Sequence, residues 1–251
     1  KELDRINAAA LLLVIPLKLI NYDAYARLYK NLFATLGNKV GYLAMYRLSL
    51  EHNFVNYILP SGGVSGISYF TIRARSEGVS AAKATLAQIT KLFLLFVSFQ
   101  PLLVLGIIIL SLRDHASGLV LVIATSLITL LIVGTALGVY IIESRRRIKN
   151  FLTFITKLLN GAIKLVRPRY TEAINIARAQ TAFDELHDNY QIFKSNLGAL
   201  KRPFLYTMIA NITEIAALYV VYIAFGNYVN IGAVILAYAV ANFAGLISVL
   251  P

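Results

Sequence analysis

Long runs of apolar residues, separated by short polar and basic segments, dominate this chain. Four runs are long enough to cross a bilayer, because about 20 apolar residues span its hydrocarbon core as a helix. They cover residues 92–112, 118–142, 203–226 and 228–251, and Glu214 is the only charged residue within them. The pattern predicts an all-α fold, a polytopic transmembrane helical bundle.

A proline and glycine break precedes the first of these runs. Residues 56–66 read Asn-Tyr-Ile-Leu-Pro-Ser-Gly-Gly-Val-Ser-Gly. Proline removes a backbone donor and stops a helix, and glycine allows turns that other residues cannot make. Inside a membrane such irregular backbone is tolerated only where it is buried in protein or lines a wet cavity. Residues 48–60 are too short and too polar for a simple crossing, so we predict a re-entrant helix that ends at Pro60.

The segments on either side of this break carry basic residues. We predict a shortened spanning helix over residues 6–22, followed by a basic cytoplasmic or interfacial region over residues 23–47. After the break, Ser65 or Ser68 can cap a new helix that runs to about Glu77. Basic residues follow in this connection and place it on the cytoplasmic side: Arg73, Arg75, Lys83 and Lys91.

Residues 143–202 form the largest polar segment. They contain twelve Lys and Arg against five Asp and Glu, so the positive-inside rule places this basic helical insertion in the cytoplasm. Apolar residues recur at helical spacing on both sides of Pro168, which predicts two amphipathic helices. The hairpin can lie on the anionic inner leaflet, or its helices can pack on each other or on the bundle. We treat residues 1–251 as a single integral membrane domain, expected to be a fragment of a longer protein.

The composition agrees with a membrane protein. Hydrophobic residues make up 58% of the chain and charged residues only 14%, whereas a soluble domain carries about 25% charge. The net charge of +12 arises in the segments between spans. We therefore interpret it as positive-inside loops that face anionic lipid, and we expect no nucleic-acid partner.

Motifs for catalysis and metal binding are weak. The chain has no cysteine, and its three histidines are far apart, so we expect no metal site and no cofactor. Residues 62–66 lack the Gly-Lys-Ser/Thr ending of a phosphate-binding P-loop, and they do not form a nucleophile elbow. No catalytic residue is predicted, and we expect that the chain is not an enzyme.

The end of the chain resembles the segment before the break. Residues 53–60 and 242–251 both begin with Asn-Phe, continue with a short apolar run and end with Leu-Pro, although their lengths differ by two residues. Corresponding broken segments in two halves are a pointer to a transporter site. Chance similarity between apolar sequences is the alternative.

These residues carry a resemblance to a known family. Residues 56–66, followed by Tyr69, Arg73, Arg75 and Gly78, resemble the flippase-like membrane family of the lysylphosphatidylglycerol synthase transmembrane region. In that family an Asn, an apolar run and a Pro-Gly-Gly-type loop precede a basic helix. The resemblance implies lipid handling, because the best-understood members move aminoacylated phosphatidylglycerol to the outer leaflet. The soluble aminoacyltransferase domain that some members carry is not in this sequence.

The chemistry of the predicted site is that of a lipid headgroup. Glycines let backbone N–H groups approach a phosphate, and arginines can hold it through charge-assisted hydrogen bonds. Glu214 can meet a cationic headgroup or carry a proton, because acids inside spans are expensive and often functional. A structural turn, positive-inside arginines and a hydrogen bond between helices are the alternatives. The candidate headgroup residues are Asn56, Pro60, Ser61, Gly62, Gly63, Gly66, Arg73, Arg75, Asn211 and Glu214.

We therefore predict a multi-pass plasma-membrane protein that binds or translocates an anionic, aminoacylated or polyprenyl-linked lipid. Two alternatives belong to other classes. One is a membrane subunit of a lipid-modifying aminoacyl- or glycosyltransferase, and the other is a scaffold that holds lipid without moving it. The expected partners are membrane phospholipids, and a homo-oligomer or an enzyme partner is left open.

Overall fold

The computed structural model of the chain is a bundle of α-helices. It describes residues 7–58, 64–114, 118–151, 153–154, 157 and 187–247. The numbered helices are α1 (Ala8–Leu12), α2 (Val14–Thr35), α3 (Tyr42–Ile58), α4 (Val64–Ser76), α5 (Ala81–Asp114), α6 (Gly118–Ile142), α7 (Lys201–Ala224) and α8 (Ile231–Ile247). Residues 145–151 and 187–195 are also helical, and the described residues include no β-strand. The prediction of an all-α bundle is confirmed.

Among the described residues, four helical stretches are long and apolar enough to cross a membrane. They are Ala8–Thr35, Ala81–Leu112, Val122–Ile142 and Leu197–Ala224. Helix α6 has the bounds that the apolar run predicts, 118–142. Helix α8 occupies most of the predicted last run, and residues 248–251 lie outside the described part.

Helix α2 is longer than the sequence predicts. The apolar run suggested that the span ends at Tyr22, but the helix continues to Thr35. The charges that suggested an end lie on an exposed face, where Asp23 and Arg27 form an ion pair one turn apart, at 2.7 Å. The opposite face stays apolar and buried through Phe33, so packing extends the helix. Pro16 is accommodated because it lies in the first turn, where its missing N–H is not needed.

Helices α2 and α7 run antiparallel along their whole lengths. At one end the amide of Asn7 donates to the carbonyl of Ala224, at 2.9 Å. Further along, Asn21 Nδ2 donates to the carbonyl of Ala210, at 3.0 Å, and to Oγ1 of Thr213, at 2.9 Å. These contacts keep one register, so the basic ends of both helices lie at the same side of the bundle.

Helix α5 is parallel to α7 and antiparallel to α8. Asn211 of α7 donates to the carbonyl of Leu95 in α5, at 3.0 Å. On its other side, α5 meets α8 through two glycines, since a Cβ on Gly232 would lie 2.2 Å from the carbonyl oxygen of Gly106. Small residues allow such close helix contacts in membranes.

Helices α3 and α4 form a hairpin that starts and ends at the basic side. Asn38, before α3, donates from Nδ2 to the carbonyl of Gly78, after α4, at 3.0 Å. Lys83 Nζ donates to Oδ1 of Asn38, at 2.8 Å, and fixes the start of α5 at the same level. With 17 and 13 residues, α3 and α4 are about 25 and 20 Å long, shorter than the hydrocarbon core of about 30 Å. The predicted re-entrant helix corresponds to α3, which begins six residues before the predicted start at 48, and its predicted end at Pro60 lies outside the described residues.

The described parts of the 143–202 segment pack on the basic end of the bundle. Ile148 and Phe193 are buried in the same apolar core as α2 to α5. Lys194 donates to Glu143, at 2.7 Å, and His187 Nδ1 lies 3.1 Å from the carbonyl oxygen of Ile142. These residues therefore pack on the bundle, which is one of the two predicted alternatives. Residues 158–186, which include the predicted break at Pro168, lie outside the described part.

Candidate functional site

The hairpin of α3 and α4 is held by a histidine and an asparagine near its tip. His52 Nδ1 donates to the carbonyl of Gly66, at 3.0 Å, and Asn56 Nδ2 donates to His52 Nε2, at 3.2 Å. A Cβ on Gly66 would lie 2.1 Å from Oδ1 of Asn56, so a larger residue at this position would require the Asn56 side chain to shift. Two predicted site residues, Asn56 and Gly66, are therefore in contact across the break.

Lys91 lies beside this hairpin, inside the bundle. Its Nζ is 5.8 Å from the ring centroids of both Tyr25 and Tyr29, which hold the cation over their faces. Within the described part of the chain, no carboxylate forms an ion pair with Lys91. Tyr29 in turn donates to Gln88, at 3.0 Å, and that glutamine has a buried Nε2 with no partner. A cation inside the bundle that has no ion-pair partner among the described residues favours an anionic ligand.

Two neighbouring cavities share the side chain of Tyr25. The central cavity has a volume of about 140 Å³, and its polar lining consists of Tyr25, Asn211, Tyr238 and Asn242. A smaller polar pocket of about 30 Å³ is lined by Tyr25, Tyr29, Ser49, His52, Asn53 and Lys91. Six helices, α2, α3, α5, α6, α7 and α8, contribute to these walls, so the site belongs to the bundle and not to the hairpin alone.

Asn53 lines the smaller pocket, and Asn242 lines the adjacent central cavity. Each is the first residue of one of the two similar segments in the sequence, and each lines one of the two adjacent cavities. The two similar segments, residues 53–60 and 242–251, thus begin at residues that line adjacent cavities, and their correspondence as halves of a transporter stays a prediction.

Asn211 faces α5 and contributes to the central cavity. Its Nδ2 donates to the carbonyl of Leu95, at 3.0 Å, and to Oγ of Ser98, at 2.9 Å. The side chain is thereby fixed in one orientation between two helices. The structure places this predicted site residue in the cavity wall and gives it an interhelical role as well.

Glu214 forms an ion pair with Lys18 of α2. Lys18 Nζ donates to Oε2 of Glu214, at 2.6 Å, and the two side chains are 35% and 26% exposed. The sequence presented Glu214 as a lone acid within a span, and the structure supplies a cation for it. Glu214 is not among the residues that line the two cavities.

The two predicted arginines differ in their surroundings. Arg73 Nε lies 3.3 Å from Oε2 of Glu51, which also accepts a hydrogen bond from Tyr69, at 3.0 Å. Arg73 therefore braces the hairpin, whereas Arg75 is exposed. Neither lines the central cavity.

Four predicted site residues, Pro60, Ser61, Gly62 and Gly63, lie outside the described residues. Their proposed contacts with a headgroup stay predictions. The flanking helices end at Ile58 and begin at Val64.

The chain matches one family over its whole length. The sequence model of the family described as the lysylphosphatidylglycerol synthase TM region matches residues 1–251. The chain belongs to this family. No match was found among curated proteins or among solved structures. Membership in the lysylphosphatidylglycerol synthase transmembrane family makes the chain a membrane protein of a lipid-handling class.

The sequence pattern does not predict the surroundings of Lys91. This residue lies immediately before an apolar run, a position typical of a positive charge at the cytoplasmic end of a span. The signal that could have found it is the helical spacing of Gln88 and Lys91, opposite Tyr25 and Tyr29 on α2. Among the described residues no group of three or more His, Asp or Glu side chains could hold a metal ion.

Proposed function

We propose that the chain binds the headgroup of an anionic or aminoacylated phospholipid, or of a polyprenyl-linked lipid, at the two adjacent cavities that share Tyr25 and carries it across the plasma membrane. The observation that supports this most is Lys91, a cation inside the bundle that lies over two tyrosine rings and forms no ion pair with a carboxylate of the described residues. A phosphate can offset the cost of that charge in a low-dielectric environment.

The surrounding helices supply the other requirements of such a carrier. Hydroxyl and amide groups from Tyr25, Asn211, Tyr238 and Asn242 give the cavity hydrogen-bonding capacity. The hairpin of α3 and α4 is a separate element that packs against this site, and a two-state displacement of it would expose the cavity to either side. In this proposal the chain is a transporter, and any headgroup chemistry belongs to a partner enzyme.

The test uses the full chain in liposomes that contain a fluorescent phosphatidylglycerol. Dithionite added outside bleaches the label in the outer leaflet, so lipid movement appears as a slow further loss of signal. We expect Lys91→Met to slow this phase at least about tenfold, the effect of roughly 1.4 kcal/mol lost on the transport barrier. Lys39→Met, which removes the same charge from an exposed position, is the matched control.

The outcomes separate the candidate functions. A transporter gives movement that depends on Lys91 and not on Lys39. A scaffold gives retention of labelled lipid on the purified protein without movement. Equal rates for the two variants, with both proteins folded, would reject the cavity as the transport site.

A further inference from the structure

A second polar site lies at the basic end of the bundle, between α2, α3 and α7. It is a groove of about 380 Å³ that opens to the surface. Its lining residues are Arg27, Lys30, Asn31, Ala34, Tyr42, Arg202 and Tyr206. None of them belongs to the central cavity, so this site is separate from the proposed transport site.

The charge of the groove is positive and largely uncompensated. Three of its side chains are cationic, and the nearby acid, Asp23, is already occupied. Asp23 accepts from Arg27 Nε, at 2.7 Å, and from the Tyr42 hydroxyl, at 2.6 Å. Lys30 and Arg202 are exposed and have no acidic partner within the described residues. One carboxylate therefore leaves about two positive charges for a ligand.

The groove is also pre-organised. The Arg27 guanidinium lies 5.6 Å from the ring centroid of Tyr42, and its Nε is held by Asp23. Asn31 Nδ2 donates to the carbonyl of Arg27, at 2.8 Å, which fixes the amide at the wall of the groove. Arg27 keeps its two terminal nitrogens as donors, the groups that match phosphate oxygens.

The position of the groove identifies a lipid as the source of the anion. Lys30 is twelve residues beyond Lys18 on α2, about 18 Å along the helix axis from the intramembrane ion pair. Exposed apolar side chains occur at the same level, since Leu43 is 78% and Leu205 is 56% exposed. Lipid-facing apolar residues next to tyrosines and cations are typical of the headgroup boundary.

We propose that this groove binds the phosphate of an anionic phospholipid in the leaflet on the basic side. Arg27 and Arg202 approach the phosphate from α2 and α7, and Lys30 adds a third cation. The tyrosines support the glycerol region, and the acyl chains follow the apolar surface of the neighbouring helices. The groove shares no lining residue with the central cavity, and its proposed role does not depend on the transport proposal.

The test measures lipid retention on the full chain purified in neutral detergent. Native mass spectrometry counts phosphatidylglycerol or phosphatidylcholine molecules bound after titration with each lipid. We expect the wild type to retain phosphatidylglycerol in preference to phosphatidylcholine. Lys30→Gln and Arg202→Gln should each weaken that retention about fivefold, the effect of one basic residue near an anionic membrane surface.

Lys39→Gln is the matched control, because it removes one exposed cation from the same end without altering the groove. Helical content by circular dichroism confirms that each variant is folded. Equal phosphatidylglycerol retention in the groove variants and the control would overturn the proposal. Displacement of the bound lipid by millimolar inorganic phosphate would overturn the lipid assignment and indicate a site for soluble anions.

Discussion

Lys18 Nζ lies 2.6 Å from Oε2 of Glu214, and this contact joins α2 to α7. Lys18 lies in the first half of α2, and Glu214 lies near the middle of α7. Because each neutralises the other, neither needs a ligand to remain charged in the membrane. A cationic headgroup that used Glu214 would first have to displace Lys18.

The ion pair should show strong coupling in a double-mutant cycle. We expect Lys18→Met to reduce the free energy of unfolding in detergent by about 1–3 kcal/mol, because it leaves a carboxylate without its partner. Lys18→Met with Glu214→Met should restore part of this loss, since no unpaired charge remains. Thermal unfolding of the two single variants and the double variant measures the coupling energy. Additive losses would contradict the pairing.

Gly66 should be intolerant of a side chain. We expect Gly66→Ala to destabilise the hairpin by about 1–3 kcal/mol, because the new Cβ would occupy the space of the Asn56 amide. Adding Asn56→Ala to this variant should recover part of the loss by vacating that space. Hydrogen exchange of the α3 and α4 amides, together with thermal unfolding, measures the effect.

Gly41→Ala is the control for this experiment, since a Cβ there meets no atom within 4 Å. It should leave exchange in the hairpin unchanged. A Gly66→Ala protein as stable as Gly41→Ala would show that the contact with Asn56 does not constrain the hairpin.

Gly232 should set the distance between α5 and α8. Gly232→Ala places a Cβ 2.2 Å from a backbone carbonyl of α5, which cannot rotate away as a side chain can. We expect a loss of about 2–4 kcal/mol in unfolding free energy, measured by thermal or denaturant unfolding. Gly134→Ala on α6 has open space around it and should be neutral or stabilising, by up to about 1 kcal/mol.

His52 should make stability depend on pH. Burial, with the nearby positive charge of Lys91 as a second cause, lowers the pKa of His52 from its ordinary 6.5 to about 3. The unfolded chain takes up a proton that the folded chain excludes, so stability should fall as the pH drops from 6.5 towards 3. The contribution reaches about 1.4 kcal/mol per pH unit.

Unfolding of the wild type and of His52→Gln, compared from about pH 7 down to pH 4.5, tests this dependence. The variant should lose the part of the slope that comes from this histidine. Parallel pH curves for the two proteins would show that His52 is not held neutral.

The lengths of the apolar runs predicted most of the helices. They failed for α2, whose second half has a charged exposed face and an apolar buried face. Residues 118–142 gave the bounds of α6, because that helix is apolar on all sides. The second half of α2 was not predicted, because the charges of Asp23 and Arg27 on the exposed face interrupt the apolar sequence, although buried positions lie between them. A run of charges ends an apolar stretch in the sequence without ending a helix.

The candidate site was predictable only in part. The break near Pro60 and the similarity of residues 53–60 to 242–251 pointed to elements that meet at the cavities. Lys91 and Tyr25 could not be found from run length, since their contact depends on the packing of α2 against α5. The partner of Glu214 is likewise 196 positions away, beyond any local pattern.

The hairpin of α3 and α4 has a consequence for the sidedness of the chain. Because Asn38 and Gly78 are joined at one level, the 39 residues between them add no net crossing. Reporter tags inserted before and after this segment would therefore have the same accessibility from one compartment. Excising it would leave the parity of all later crossings intact, so an ancestor could have gained or lost this element without inverting the rest of the protein.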